Sequence, residues 1–257
     1  MSSIYRLVLL LHICAGITGL VAFWIPAIAR KGQTLHIRAG RAFFYATSVV
    51  AASGIAMATL LLIDPLAVKP LGMAVEPGRA QEIANTIRLT SLFLFYLVLI
   101  TFVPVYHGVR VLATRTAPER LRTGFHTALN LTVIAAAVAM IVLSLVTRQP
   151  VFGALSVIGF LVGPGNLRFA RQPYPTPMAW WYEHMGSMLG GGIAFHTAFL
   201  VLGAGRLFGI TLEGPIAILP WLLPTIVGVP VTSIWVGYYR RKFNEVGGAA
   251  SAGRAHA

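Results

Sequence analysis

Apolar residues fill this chain in long blocks, parted by short breaks rich in arginine, glycine and proline. The blocks run roughly over 4–29, 41–63, 86–110, 124–146, 149–167, 180–206 and 215–239. About 20 apolar residues suffice for a helix to cross a bilayer, and each block approaches or exceeds that length. The fifth lies between Arg148 and Arg168, and Gly163-Pro164-Gly165 interrupts its end. The pattern therefore predicts an all-α, polytopic transmembrane helix bundle of about seven spans, a single domain over 1–243. The residues that follow, 244–257, are small and of low complexity, and a disordered cytoplasmic tail is expected there. Glu76-Pro77 is placed to start a helical extension into the third span, since proline is favoured in a first helical turn.

Composition supports the same class. Hydrophobic residues make up 57% of the chain and charged ones 11%, with a mean hydropathy of +0.78. A soluble domain carries about a quarter charged residues. The net charge of +13 would suggest nucleic acid in a soluble chain. Here the basic residues flank the apolar blocks and form no separate module, so nucleic acid is not an expected partner and membrane lipids are. The single cysteine, Cys14, excludes an intrachain disulfide and any zinc or iron–sulfur site built on thiolates. The first block is longer than the apolar core of a cleaved signal. Although Ala27-Ile28-Ala29 resembles a cleavage site, the block is read as a retained helix.

Charge sets the orientation. Of the 20 Lys and Arg, fourteen fall on one side of the seven spans: Arg30, Lys31, Arg38, Arg41, Arg110, Arg115, Arg120, Arg122, Arg168, Arg171, Arg240, Arg241, Lys242 and Arg254. The other six are Arg6, Lys69, Arg79, Arg88, Arg148 and Arg206. The excess marks the first side as cytoplasmic, which puts the N-terminus outside and the C-terminus inside. Small residues should carry the helix contacts, because lipid gives helices no hydrophobic reason to associate. The expected stripes are Gly16 and Gly19; Ala51, Gly54 and Ala58; and Gly186 with Gly190 beside Ser187 with Gly191. Pro220, Pro224 and Pro230 are expected to bend the seventh span.

The candidate chemistry lies in the histidines. His12 and His196 sit at similar depth, roughly 12–15 Å below the outer boundary at about 1.5 Å per residue. As a pair they are candidate axial ligands of haem b, with glycines nearby to admit a macrocycle. Toward the cytoplasmic ends lie His36, His107, His126 and His184, with Glu183 beside the last. Glu183, His184, His36 and His126 form a candidate divalent-metal set, histidine and carboxylate suiting zinc, copper or iron. The competing reading is an interfacial polar belt, in which Glu183 pairs with Arg38 or Arg41, and this reading is preferred for Glu183 and His107. His184 and His196 are separated by about 18 Å along their helix and about 120° around it, too far to grip one small ligand.

The segment "LHICAGITGLVAFWIPAIARKGQTLHIRAGRAFFYATSVVAASG" at 11–54 resembles the start of an uncharacterised bacterial family of multi-pass membrane proteins. Leu11-His12, His36, Arg38 and Gly40-Arg41 carry the likeness, with His184, Met188-Leu189 and Thr197-Ala198-Phe199 in "WWYEHMGSMLGGGIAFHTAFLV". "PWLLPTIVGVPVTSIWVGYYRRKF" resembles the family's common end. Ile37 and His196 depart from the pattern. The resemblance implies seven helices in a bacterial inner membrane and draws attention to His12, His36, Arg38, Arg41 and His184, without implying a reaction.

The leading functional expectation is a cytoplasmic-membrane protein with a histidine-lined polar cavity that takes haem b, a metal or a quinone-like molecule. In that reading His12, His196, His184 and His36 hold the cofactor and Arg38 and Arg41 meet a ligand or headgroup. A small-molecule or lipid permease is the second expectation, and an accessory subunit bound to other membrane-complex subunits the third. Hydrolytic catalysis ranks last, since no serine–histidine–acid set is apparent among the few carboxylates.

Overall fold

The computed structural model describes residues 2–71, 75–209 and 214–245. Seven long helices account for most of them: α1 Ser2–Ile28, α2 Thr34–Ile63, α3 Pro77–Ala113, α4 Gly124–Thr147, α5 Pro150–Arg171, α6 Ala179–Ala198 and α7 Leu219–Lys242. No strand occurs among the described residues. All seven helical stretches are long and apolar enough to cross a membrane. Large apolar side chains face outward along them, Leu7, Leu145, Leu161 and Ile234 among them. Lipid is the solvent that tolerates such a surface, and helices satisfy their backbone groups internally there. The chain is an all-α, multi-pass membrane protein.

One helix end differs from expectation. The extension of the third span forms as anticipated, with α3 starting at Pro77 and the Ala80 amide bonding to the Glu76 carbonyl at 2.9 Å. The fifth span does not break at Gly163-Pro164-Gly165; α5 runs on to Arg171 with Pro164 inside it. Nothing lies within 4 Å of where a Gly165 Cβ would sit, so the backbone is uncrowded there. The new C-terminus is held by Arg122, whose Nε donates to the Ala170 carbonyl at 2.8 Å and whose Nη2 donates to that of Arg171 at 3.3 Å. A cation on the last carbonyls of a helix satisfies orphan acceptors and suits the dipole. In α7, Pro220 opens the helix, and Pro224 and Pro230 lie within it.

The chain divides into two compact units, residues 1–102 with 133–160, and residues 103–132 with 161–257. In the first unit α1 packs on α2. Their connection turns at Gly32, whose φ of 77° is a left-handed conformation that favours glycine. Lys31 Nζ donates to the Pro26 and Ala27 carbonyls at 2.6 and 2.8 Å, closing the end of α1. Partial burial there pulls the Lys31 ammonium below its ordinary pKa. Ala51 and Ala58 are buried, and a Cβ on Gly54 would meet Val98 at 3.0 Å and the His12 ring at 3.7 Å, so that small-residue stripe packs as expected. The Gly16 stripe is looser, with open space at Gly16 itself. Tyr96 joins α3 to α5: its hydroxyl donates to the Leu155 carbonyl at 2.8 Å and accepts from the Gly159 amide at 3.0 Å.

In the second unit α6 packs on α7, with the Ile193 side chain occupying the place a Cβ on Gly228 would take. The Gly186 and Gly190 stripe makes no such contact, since the space beside both glycines is open. Ser187 and Gly191 form the packed face instead: Ser187 meets Gly108 of α3, where an added Cβ would lie 3.0 Å from the serine Cβ, and Gly191 is buried. Beyond Ala198 the helix continues as a π-helical turn over Phe199–Ala204, with the Phe199 ring over Gly203.

Residues 246–257 of the expected disordered tail lie outside the described residues, as do Glu213 and His256 and the side chain of Arg206. Glu245, near the tail's start, is tied down. Its carboxylate accepts from the Thr176 hydroxyl at 2.7 Å, the Met178 amide at 3.0 Å and the Tyr182 hydroxyl at 2.8 Å. Burial alone would raise the pKa of this carboxyl. The three hydrogen bonds, with the Arg240 charge, outweigh that and hold it below the usual range.

Candidate functional site

Four helix segments of the second unit bring polar side chains to one place: the last turns of α3 and α5 and the first turns of α4 and α6. These are the ends next to the arginine-rich connections. His107 of α3 stands at the centre, with no exposed surface. Its Nε2 lies 3.0 Å from Glu183 Oε1, and its Nδ1 lies 2.9 Å from His126 Nε2. His126, on the first turn of α4, is equally buried. One turn on, Asn130 Nδ2 donates to the His126 backbone carbonyl at 2.8 Å, and Asn130 Oδ1 accepts from Asn166 Nδ2 at 2.9 Å. Both asparagines are buried. Glu183 alone opens outward, its side chain 29% exposed.

The proton positions follow from donor and acceptor roles. Carboxylate oxygens only accept, so with Glu183 ionised His107 carries its hydrogen on Nε2 and donates it. The Nδ1 of a neutral His107 is then an acceptor, which takes the hydrogen from His126 Nε2. That leaves His126 Nδ1 as a bare lone pair, and this atom is buried without a hydrogen-bond partner. Unmatched buried polar atoms are rare in native proteins and ask for an explanation. The Arg110 Nε, the Tyr174 hydroxyl and the Trp181 Nε1 are three more such atoms among the described residues of this unit. Tyr174 feels first its burial, then the charges of Glu183 and Glu119, and all three raise its phenol pKa.

Phe169 closes the group on one side, edge-on to His107 with ring centroids 5.9 Å apart, and it packs against Tyr174 at 5.2 Å. Phe169 and Trp180 also lie against the buried cluster of Val111, Leu121 and Ala170.

The residues expected from sequence fall into separate places. Glu183 takes His107 as its partner, rather than Arg38 or Arg41, which are exposed on the first turns of α2. His184 Nδ1 donates to the Gly108 carbonyl at 2.8 Å, tying α6 to α3. His36 Nδ1 donates to the Pro26 carbonyl at 3.2 Å and so belongs to the closure of α1. The proposed metal set of Glu183, His184, His36 and His126 is thus not gathered: among the described residues no three His, Cys, Asp or Glu side chains stand together as a metal site. Glu183 and His126 do belong together, but through His107, whose two nitrogens are both spent on the link.

His12 and His196, the expected haem pair, belong to different units, and each ring is anchored within its own. His12 Nδ1 lies 2.9 Å from Ser53 Oγ. Ser53 already donates its hydrogen to the Val49 carbonyl at 2.6 Å, so the histidine is the donor of that pair. His196 Nδ1 donates to the Gly192 carbonyl one turn earlier at 2.8 Å.

His107, Asn130 and Asn166 were not singled out as site residues from sequence. The signal for the asparagines was their presence inside apolar helices, where polar side chains seek one another. For His107 it was the short connection between α3 and α4, which brings 107 and 126 to neighbouring turns. The chain matches no protein-family model, no curated protein and no solved structure.

Proposed function

We propose that this membrane protein passes protons along a buried relay of Glu183, His107 and His126, with Glu183 as the solvent-facing terminal. The observation that carries this reading is the unbroken run of short hydrogen bonds from a half-exposed carboxylate to a buried imidazole nitrogen without a partner. A histidine transmits a proton by accepting at one nitrogen and releasing from the other. A proton that arrives at His126 Nδ1 lets Nε2 release its hydrogen to His107 Nδ1, and His107 Nε2 then releases its own to Glu183. Charge and proton count balance at every step, and the reverse sequence carries a proton inward. Intramembrane acid–histidine chains are a recurrent device of pumps and transporters.

The relay would serve a redox step or a coupled transport step that consumes or delivers protons. Proteoliposomes loaded with a pH-sensitive dye test it. Under an imposed potential, wild-type protein should acidify or alkalise the lumen faster than empty vesicles, and His107→Phe should abolish the difference. Equal rates for wild type and His107→Phe would overturn the reading.

A further inference from the structure

A second feature lies in the first unit, independent of the relay. Leu62 at the end of α2, Leu92, Phe95 and Leu99 of α3, and Ala139 and Leu143 of α4 line an apolar groove of about 250 Å³. Its floor includes Tyr96, which is fixed by the two bonds its hydroxyl makes to α5. Depth comes from Ala136 and Ala139, where larger side chains would fill the space. From Leu92 to Leu99 the groove runs about 10 Å along the helix axis. Its volume falls below the roughly 300–1,000 Å³ typical of whole-ligand pockets, so it suits one slender chain better than a fused ring system.

Arg88 lies one turn before Leu92. Its Nε donates to the Leu62 carbonyl at 3.2 Å and its Nη1 to Asn85 Oδ1 at 3.4 Å. The Leu62 carbonyl is one of the acceptors left open at the end of α2. These bonds hold the guanidinium against Leu62, a residue of the groove's lining, without neutralising it, because both partners are uncharged. The ion pair found among the described residues does not involve it. A fixed, uncompensated guanidinium beside an apolar slot within a membrane-spanning stretch matches the two parts of an anionic lipid.

We propose that this groove is a binding site for a glycerophospholipid with an anionic headgroup, one acyl chain lying along Leu92–Leu99 and the phosphate on Arg88. Native mass spectrometry of the full chain in mild detergent tests it, with dioleoyl phosphatidylglycerol and dioleoyl phosphatidylcholine as probes. Wild-type protein should retain one phosphatidylglycerol, with a preference over phosphatidylcholine of about tenfold or more. Ala139→Trp, which fills the slot, should lose the retained lipid. Arg88→Gln, which keeps a donor for Leu62, should hold lipid without headgroup preference. Absence of a retained lipid in wild type, retention unchanged by Ala139→Trp, or a preference unchanged by Arg88→Gln would each overturn the proposal. Should Ala139→Trp not fold, a competition on wild type decides. Lyso-phosphatidylglycerol should displace the bound lipid and glycerol phosphate should not; equal displacement by the two would remove the acyl chain from the groove.

Discussion

His107 and His126 meet nitrogen to nitrogen at 2.9 Å, their rings inclined at 36° and neither exposed to any solvent. Two imidazoles in that position cannot both donate and cannot both accept. Each fixes the tautomer of the other, and a carboxylate at Glu183, which can only accept, selects one of the two arrangements. A local electrostatic event at a half-exposed carboxylate is thereby transmitted to a nitrogen two rings away.

Removing the middle of this run should take their short bonds from the buried His126 Nε2 and from the partly exposed Glu183 carboxylate. His107→Phe is expected to lower stability by about 1–3 kcal/mol, the cost of unsatisfied buried groups. Glu183→Gln keeps a hydrogen-bonding side chain toward His107 and should cost less. Reversible unfolding in detergent measures both. The double variant should lose less than the sum, since the two residues share one interaction. A fully additive result would mean that the carboxylate and the imidazole act separately.

Two glycines of α5, one crowded and one with open space beside it, make a matched pair. A Cβ on Gly159 would stand 2.8 Å from both the Ala137 Cβ and the Tyr96 hydroxyl, and 3.3 Å from the Val133 carbonyl. Gly159→Ala should therefore destabilise by about 1–3 kcal/mol, as overpacking does. Gly165→Ala meets open space and should be neutral or gain up to about 1 kcal/mol from helix propensity. Thermal melts of the two purified variants distinguish them directly.

The Glu245 clamp predicts a pH dependence with a definite sign. The folded-state pKa of this carboxyl is depressed relative to its ordinary value of 4.5. Its contribution is then fully present above that value and is lost as pH falls through the lower, folded-state one. Glu245→Gln should be less stable than wild type at about pH 6, and the two should converge toward about pH 3. Protease cleavage near residue 245, followed across that range, reads the release of the clamp. A gap that stays constant with pH would assign the effect to packing and not to charge.

An odd number of crossings places the two chain ends in different compartments. The excess of fourteen basic residues on one side predicts that a reporter fused at the C-terminus is active in the cytoplasm and one at the N-terminus outside. Both reporters responding in one compartment would mean that one of the seven helices does not cross.

The spans were legible because lipid imposes a single rule, about 20 apolar residues between polar breaks, and the chain obeys it. The rule reads hydropathy, so it misjudged Gly163-Pro164-Gly165, where backbone geometry and the Arg122 bonds decide the helix end. The site was half legible. Glu183, His126 and His184 were marked by charge and depth, but partner choice is a matter of rotation about each helix axis. Seven helices offer many rotations, and a preference for the interfacial belt at His107 hid the residue that links Glu183 to His126. The glycines were half legible too: of the two expected stripes, Ser187 with Gly191 packs and Gly186 with Gly190 does not, and Gly108 of α3, which receives Ser187, was not foreseen.

The π-helical turn at Phe199–Ala204 has a bearing on any residue-by-residue scan of the sixth helix. Each backbone amide there reaches one residue further back than in an α-helix. Angular phase is lost across the turn, so a wheel drawn from His184 mis-sorts every position after Ala198. Substitutions on either side of that turn answer to different surroundings even when their spacing is a multiple of 3.6.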